Sequence, residues 1–158
     1  MNKKLVRKVL VCASVTFLVG GAATQALLAS PKGNLHDDGG HRLRVTKECT
    51  QYTGASGSFC TITGSNVPQI VVGSLVIYDQ AAGVPTGMLD SNVILDAGGG
   101  NRAIGRCTLD LTTGLGLCTF SDGTGTFAGF HARVRVSPPT DGKNWHWDGV
   151  YGFDEDGD

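Results

Sequence analysis

Hydrophobic and polar side chains alternate along the later part of this chain. In Phe130–Val136 the even positions are apolar, while His131, Arg133 and Arg135 occupy odd positions. Successive side chains of a β-strand point to opposite faces, so this alternation predicts a strand with one buried face. The segment Trp145–Phe153 alternates in the same way, and its expected inner face carries Trp145, Trp147, Tyr151 and Phe153.

Short runs rich in Val, Ile, Thr, Leu and aromatic residues recur along the chain, and Gly, Asn, Asp and Pro separate them. Such runs, bounded by turn-forming residues, are typical of strands. No stretch after residue 30 keeps apolar residues at helical spacing over three turns, so we predict no helix there. The pattern predicts an all-β domain, a sandwich or a barrel, with eight strands at Arg42–Tyr52, Ser58–Gly64, Gly73–Asp79, Asn92–Asp96, Ala103–Leu111, Leu115–Phe120, Gly129–Ser137 and Trp145–Phe153.

The segment Val71–Tyr78 departs from this alternation, because both of its expected faces are apolar. Val93–Leu95 repeats the pattern over a shorter run. A strand that is apolar on both sides needs a cover on its outer face as well. We therefore expect Val71–Tyr78 to form a subunit interface in a homo-oligomer.

The cysteines form a repeated motif, in which a Cys-Thr pair, a spacer and a second Cys-Thr pair occur twice. A turn-like sequence lies midway in each repeat, at Gly54-Ala55 and at Thr112-Thr113. Residues equidistant from a hairpin loop face each other across the strands, at nearly the separation that a disulfide needs. The spacing predicts two hairpins, each closed by its own disulfide, Cys49–Cys60 and Cys107–Cys118. Two other connectivities stay open and would make distant hairpins neighbours: Cys49–Cys107 with Cys60–Cys118, and Cys49–Cys118 with Cys60–Cys107.

The start of the chain has the features of a secretory signal peptide. Basic residues cluster in Lys3–Lys8, and Val9–Ala29 is uncharged and mostly apolar or small, with candidate cleavage sites after Ala26 or Ala29. An uncleaved anchor is the alternative, because about twenty such residues just span a bilayer. Cleavage removes Cys12 and leaves an even number of cysteines, as a disulfide framework requires. We therefore expect a secreted or periplasmic protein.

The rest of the chain is long enough for one domain with its own core. We assign residues 1–29 to the signal peptide, 30–41 to a flexible lead-in, 42–153 to the β-domain and 154–158 to an acidic tail. Loss of four of the 13 basic residues with the signal leaves 9 against 14 acidic residues, a net charge of −5. Nucleic acids and anionic membrane surfaces bind basic faces, so we expect neither partner. We also expect no stable membrane span after cleavage.

The segment Ser121–Gly129 reads Ser-Asp-Gly-Thr-Gly-Thr-Phe-Ala-Gly and precedes the strand at His131–Val136. It resembles the Gly-Thr-Gly-x-aromatic-x-Gly segment of the allene oxide cyclase and dirigent barrel superfamily. Gly105–Thr108 and Leu117–Phe120 are similar to the paired cysteine hairpin of secreted bacterial members. The resemblance covers Asp90–Phe153 and implies an eight-stranded antiparallel barrel, often trimeric. It also implies a hydrophobic cavity that guides cyclisation or radical coupling without a cofactor. We assign no catalytic residue on this basis.

Aromatic residues of the last predicted strand are the expected lining of a ligand pocket: Trp145, Trp147 and Tyr151. The alternative is that the two tryptophans fill the core of a small barrel. His131 and Arg133 share a strand face and could bind an anion or polarise a carbonyl group. The alternative for these two residues is a solvated outer face.

Other ionisable residues carry weaker signals. His146 and Asp148 share a face and could form an acid–base pair, but no nucleophile lies near them in sequence. Asp90, Asp96 and Asp110 border strands, where aspartates commonly cap turns. We expect no metal and no cofactor, because the acidic tail lacks calcium-loop spacing, the cysteines lack zinc-site spacing, and no phosphate-binding motif is present.

These observations leave three functions open for an exported, disulfide-stapled barrel. The first is the binding of a small hydrophobic molecule inside it. The second is a cofactor-free cyclase or isomerase in which His131, Arg133 or Asp122 supplies polarity. The third is an extracellular structural or interaction protein with a filled barrel. A lumen smaller than the roughly 300 Å³ that a ligand pocket needs would exclude the first two functions. An ionisable group inside an otherwise apolar lumen would favour the enzyme over the binder.

Overall fold

The computed structural model describes residues 40–83 and 86–154. The predicted signal peptide, nearly all of the lead-in and all of the acidic tail after Asp154 lie outside these residues. Within them, eight antiparallel strands form a closed barrel, in which each strand pairs with the next and the last returns to the first. The predicted all-β class is confirmed, and the architecture is the barrel rather than the sandwich. The strands are β1 (His41–Glu48), β2 (Phe59–Ser65), β3 (Leu75–Tyr78), β4 (Met88–Asp96), β5 (Arg102–Asp110), β6 (Gly116–Thr124), β7 (Phe130–Ser137) and β8 (Asn144–Phe153).

The predicted alternation sets the inside and the outside of the barrel. On β7 the even positions from Phe130 to Val136 are buried, while His131, Arg133 and Arg135 are exposed. Closure of the barrel gives each of the eight described strands a partner on both sides, so none of these strands is an edge strand.

Two strands extend well beyond their predicted bounds, whereas β1 ends early, at Glu48 rather than Tyr52, because the chain turns away after Cys49. β4 begins at Met88 rather than Asn92, because its first residues pair with the end of β5. β6 continues to Thr124, because a bulge at Ser121, opposite Ile104 and Gly105, keeps its last residues paired with the start of β5. The glycine-rich turn therefore starts at Gly125, whose φ of 62° lies in the left-handed region that glycine adopts without strain.

The two disulfides have the predicted connectivity, Cys49–Cys60 and Cys107–Cys118. Cys107 faces Cys118 directly across β5 and β6, and Cys49 follows the last residue of β1. The β1–β2 pair and the β5–β6 pair lie opposite each other in the closed ring of strands. The disulfides therefore close two opposite walls of the barrel, which excludes the two alternative connectivities. Two such bonds fit an extracellular or periplasmic protein.

Aromatic side chains fill the barrel away from the disulfides. Where β7 begins and β8 ends, the Phe130 ring centroid lies 5.3 Å from that of Phe127 and 5.3 Å from that of Phe153. Towards the middle, Phe120 lies 5.6 Å from Trp147, measured between ring centroids. The interior of this part of the barrel is therefore a packed core.

Gly105 on β5 makes room for this packing. A Cβ atom at that position would lie 2.7 Å from Cδ1 of Phe120 and 2.3 Å from the carbonyl oxygen of Thr119. Glycine is therefore required for the close approach of β5 to β6.

In the part of the chain that the structure describes, no helix is long and apolar enough to cross a bilayer.

Candidate functional site: a cavity at the disulfide end

A cavity of about 170 Å³ lies at one end of the barrel, where the odd-numbered strands finish and the even-numbered strands begin. We call this the disulfide end, because both disulfides line the cavity. The other lining side chains are mainly apolar or aromatic and include Lys47, Tyr52, Tyr78, Leu89, Leu109 and Trp145. The cavity therefore combines a rigid apolar wall with an ionisable amine and two hydroxyl groups.

Lys47 is the one charged side chain among the buried residues that the structure describes, with 2% of its surface exposed. It follows Leu43 and Val45 on the inner face of β1. Its Nζ atom donates a hydrogen bond to the hydroxyl of Tyr78 and lies 4.5 Å from the centre of the Trp147 ring. Among the described residues, no carboxylate forms an ion pair with it.

Burial lowers the pKa of Lys47 from 10.5 to about 7, because the ammonium form loses its hydration. The ring face of Trp147 favours the ammonium, but such contacts contribute only about 2 kcal/mol when desolvated. Burial of an ion costs several kcal/mol, so the loss of hydration is the larger effect. A large share of Lys47 is therefore a free amine near neutral pH, and a free amine is both a base and a nucleophile.

Two tyrosines stand beside this amine. Burial raises the pKa of Tyr78, and the neighbouring Tyr52 raises it further, so the Tyr78 hydroxyl keeps its proton at neutral pH. Tyr52 lies in the connection after β1, with its ring centroid 5.1 Å from that of Tyr78. Its hydroxyl oxygen is buried and has no hydrogen-bond partner among the described residues. Buried polar groups are nearly always paired, so this hydroxyl is available to a molecule in the cavity.

The aromatic residues predicted to line a pocket are spread along the barrel. Trp145 is half-buried and lines the cavity. Trp147 is 1% exposed and packs in the middle of the barrel, as in the filled-core alternative. Tyr151 lies near the far end, with its ring centroid 6.0 Å from that of Phe130. The structure thus brings Trp145 to the cavity and keeps Tyr151 away from it.

The polar residues predicted for a site lie on the outer wall of the barrel. His131, Arg133 and Asp122 are all exposed. His131 Nδ1 lies 3.3 Å from a carboxylate oxygen of Asp154. Arg133 pairs with Val150 of β8, and Val150 pairs in turn with Arg42 of β1. None of these three side chains reaches the cavity lining, so they form no site with Lys47.

The aspartates near strand ends are engaged in local contacts. Asp96 forms an ion pair of 2.9 Å with Arg102, and a hydrogen bond from the backbone of Gly98 is the main cause that lowers the pKa of its carboxyl. Asp110 accepts hydrogen bonds from the backbone N–H groups of Thr112 and Thr113. Asp90 is paired with Arg106 at 2.7 Å. These contacts are the turn caps and surface ion pairs expected of strand-end carboxylates.

Within residues 40–83 and 86–154, no group of three or more His, Cys, Asp or Glu side chains is arranged to hold a metal ion. Comparison with known protein families, curated proteins and solved structures finds no match to this chain.

Sequence reasoning did not identify Lys47, Tyr52 or Tyr78 as site residues. The alternation along β1 indicated the inward position of Lys47, because Leu43, Val45 and Lys47 occupy alternate positions and therefore share a face. No comparable signal places Tyr52 or Tyr78 near Lys47. That proximity depends on the closure of the barrel and on the path of the β1–β2 connection.

Proposed function

We propose that this protein is an exported barrel that binds a small apolar molecule in the cavity at its disulfide end. The observation that carries the proposal is the set of buried polar groups in an otherwise apolar cavity, namely the Lys47 amine and the unpartnered Tyr52 hydroxyl. Pockets for small molecules typically combine apolar walls with a few polar groups that orient the ligand.

The size of the cavity limits the occupant. A volume of about 170 Å³ is below the roughly 300–1,000 Å³ of pockets for drug-sized ligands. It is close to the ~150 Å³ of an engineered apolar cavity that binds benzene. The cavity is smaller than the size limit that the sequence analysis took from drug-sized ligands, so we restrict the proposal to molecules of about one aromatic ring.

Binding of toluene tests this proposal. We expect toluene to raise the melting temperature and to shift the NMR signals of methyl groups around the cavity, such as those of Leu89 and Leu109. A Leu109→Trp variant should fill the cavity and abolish both effects, whereas a Val150→Trp variant adds the same group to the outer wall and should keep them. If toluene produces neither effect in the wild-type protein, the proposal is wrong.

A cofactor-free isomerase or cyclase is the second candidate, in line with the resemblance to the allene oxide cyclase and dirigent superfamily. The observation that favours it is the ionisable Lys47 inside an apolar lumen, because strongly shifted ionisable groups concentrate at functional sites. In this version Lys47 takes the role that the sequence analysis gave to His131, Arg133 or Asp122. Its test is turnover of a small cyclisable substrate that is lost in Lys47→Met.

We also propose that the barrel self-associates through the outer wall around β3. Ile77 faces Phe59 of β2 on one side and Ile94 of β4 on the other, and Ile94 faces Ile104 of β5. These four side chains form a continuous apolar row across four strands, and Ile104 at its end is 47% exposed. Apolar rows of this kind mark interaction surfaces. Of the expected interface segment Val71–Tyr78, only Ile77 belongs to this row. Val71 and Val72 precede β3 rather than forming part of it, and they are exposed.

A further inference from the structure

We propose that the Lys47 amine condenses with the carbonyl carbon of a small apolar aldehyde held in the cavity and forms an imine with it. This inference rests on the proposed binding function and names the chemical class of its ligand. It goes beyond simple binding, because the ligand becomes covalently and reversibly attached.

The position of Lys47 supports this chemistry. The amine lies at the inner end of an apolar cavity, held by its hydrogen bond to Tyr78 and by the Trp147 ring 4.5 Å away. Its stem is fixed in the inner face of β1, between the neighbouring β2 and β8. A ligand in the cavity is therefore brought to the nitrogen without the rotational freedom that an exposed lysine has.

The reaction needs no oxidant, reductant or cofactor. The nitrogen lone pair attacks the carbonyl carbon, a C–N bond forms, and the electron pair of the carbonyl π bond moves to oxygen, which takes up a proton. The nitrogen loses one proton, and its lone pair forms the second C–N bond as the C–O bond of this carbinolamine breaks and the oxygen leaves as water with a second proton. Loss of the last nitrogen proton gives the neutral imine. The sum is one amine and one aldehyde giving one imine and one water.

The two tyrosines supply hydrogen-bond donors in the same cavity. Tyr78 accepts a hydrogen bond from Lys47 Nζ, so its own proton remains free for donation. The Tyr52 hydroxyl lacks a partner among the described residues and lines the same cavity. Since burial raises the pKa of both hydroxyls, both are protonated at neutral pH and can donate to the carbonyl oxygen.

The environment also distinguishes Lys47 from other lysines. Lys143 is 62% exposed and pairs with Glu48 at 3.2 Å, so it serves as an internal reference on the same molecule. An ordinary lysine is almost entirely protonated at pH 7.5, and a lysine of pKa about 7 is mostly free amine. We expect Lys47 to react about a hundredfold or more faster on this ground alone.

Reductive trapping with benzaldehyde tests the inference. The folded protein with intact disulfides is incubated with benzaldehyde and sodium cyanoborohydride at pH 7.5, and intact mass and peptide mapping locate the modification. The expected result is one benzyl group on Lys47, little on Lys143, and loss of the preferred label in Lys47→Met. Excess toluene should slow the labelling of Lys47 and leave that of Lys143 unchanged.

Two outcomes overturn the inference, and they are distinguishable from failure of the proposed function. If toluene binds but Lys47 is labelled no faster than Lys143, the imine is wrong and binding stands. If toluene does not bind and Lys47 is labelled no faster than Lys143, both the imine and the proposed binding function are wrong.

A Tyr78→Phe variant removes the hydrogen-bond partner of Lys47 but keeps the apolar wall. If this variant slows labelling at Lys47 and leaves labelling at Lys143 unchanged, the result supports the role of the Tyr78 hydroxyl. Unchanged labelling at Lys47 would overturn that role.

Discussion

The Nζ atom of Lys47 lies 4.5 Å from the centre of the Trp147 ring, inside a barrel wall closed by two disulfides. A cation in this position gains the attraction of the ring face but loses its water. The balance depresses the pKa of Lys47 to about 7. The same contact therefore links the packing of the core to the protonation state of the candidate site.

The depressed pKa of Lys47 predicts a specific pH dependence of stability. Below pH 7 the lysine is protonated in both the folded and the unfolded chain, and the folded state bears the full cost of the buried charge. Between pH 7 and 10.5 the unfolded chain holds a proton that the folded chain lacks, so the free energy of unfolding rises with pH, by up to about 1.4 kcal/mol per pH unit.

Urea unfolding of the wild-type protein and of Lys47→Met between pH 6 and 10 measures this slope. We expect Lys47→Met to be more stable than wild type, most of all at pH 6–7, and to lack the rise. Above pH 10 the raised pKa values of Tyr52 and Tyr78 reverse the trend, because the unfolded chain loses those protons first. Lys143→Met is the matched control and should keep the wild-type slope. If Lys47→Met shows the same rise of unfolding free energy with pH as wild type, the pKa of Lys47 is not depressed by burial.

Each disulfide should contribute substantially to stability. A closed loop of about twelve residues corresponds to about 3 kcal/mol in the chain-entropy description, or roughly 10 °C in melting temperature for a domain of this size. The variant Cys107→Ala/Cys118→Ala and its counterpart Cys49→Ala/Cys60→Ala should each show this loss by calorimetry.

Partial reduction adds a distinction between the two bonds. Cys49 is half-buried, whereas Cys107 and Cys118 are at most 2% exposed. Dilute dithiothreitol should therefore open Cys49–Cys60 first, as read by alkylation and peptide mapping. Melting curves that do not change on full reduction would contradict the structural role of both bonds.

The two tryptophans should respond differently to truncation. Trp147→Ala removes a fully buried side chain from the packed core, and we expect a loss of about 3–5 kcal/mol in the free energy of unfolding. Trp145→Ala widens the cavity at the disulfide end, and we expect a smaller loss together with binding of ligands larger than toluene. Denaturant titration and ligand-induced thermal shifts measure the two effects. Equal losses of stability would argue against a cavity at Trp145.

The apolar row on the outer wall predicts a change of assembly. Replacement of Ile104 by Lys places a charge at the exposed end of the row, and we expect a smaller assembly by light scattering coupled to size-exclusion chromatography. Val150→Lys is the control, because Val150 is 52% exposed on β8 and lies outside the row. A wild-type protein that is monomeric at all concentrations would rule out self-association through this surface.

Local pattern was sufficient for the presence of the strands and for the disulfide pairing, but not for the ends of every strand. The alternation in Phe130–Val136 assigned the inner and outer faces of β7 correctly, because the strand period depends on backbone geometry alone. The equal spacing of Cys107 and Cys118 about their loop gave the pairing, because an antiparallel register follows from the turn. The extra length of β6 was missed, since its pairing depends on a bulge at Ser121 and on the path of its partner strand β5.

The sequence by itself determined that strands form, which side of an alternating strand is apolar, and which cysteines can bond across a hairpin. Only the tertiary structure decided that the barrel is filled at one end and retains a cavity at the other, and that Trp145, rather than Tyr151, lines that cavity. It alone brought Lys47, Tyr52 and Tyr78 together from separate parts of the chain. The reason is that side-chain alternation and cysteine spacing reflect residues close together in sequence. The burial of an amine and the volume of a cavity depend on strands that meet only when the barrel closes.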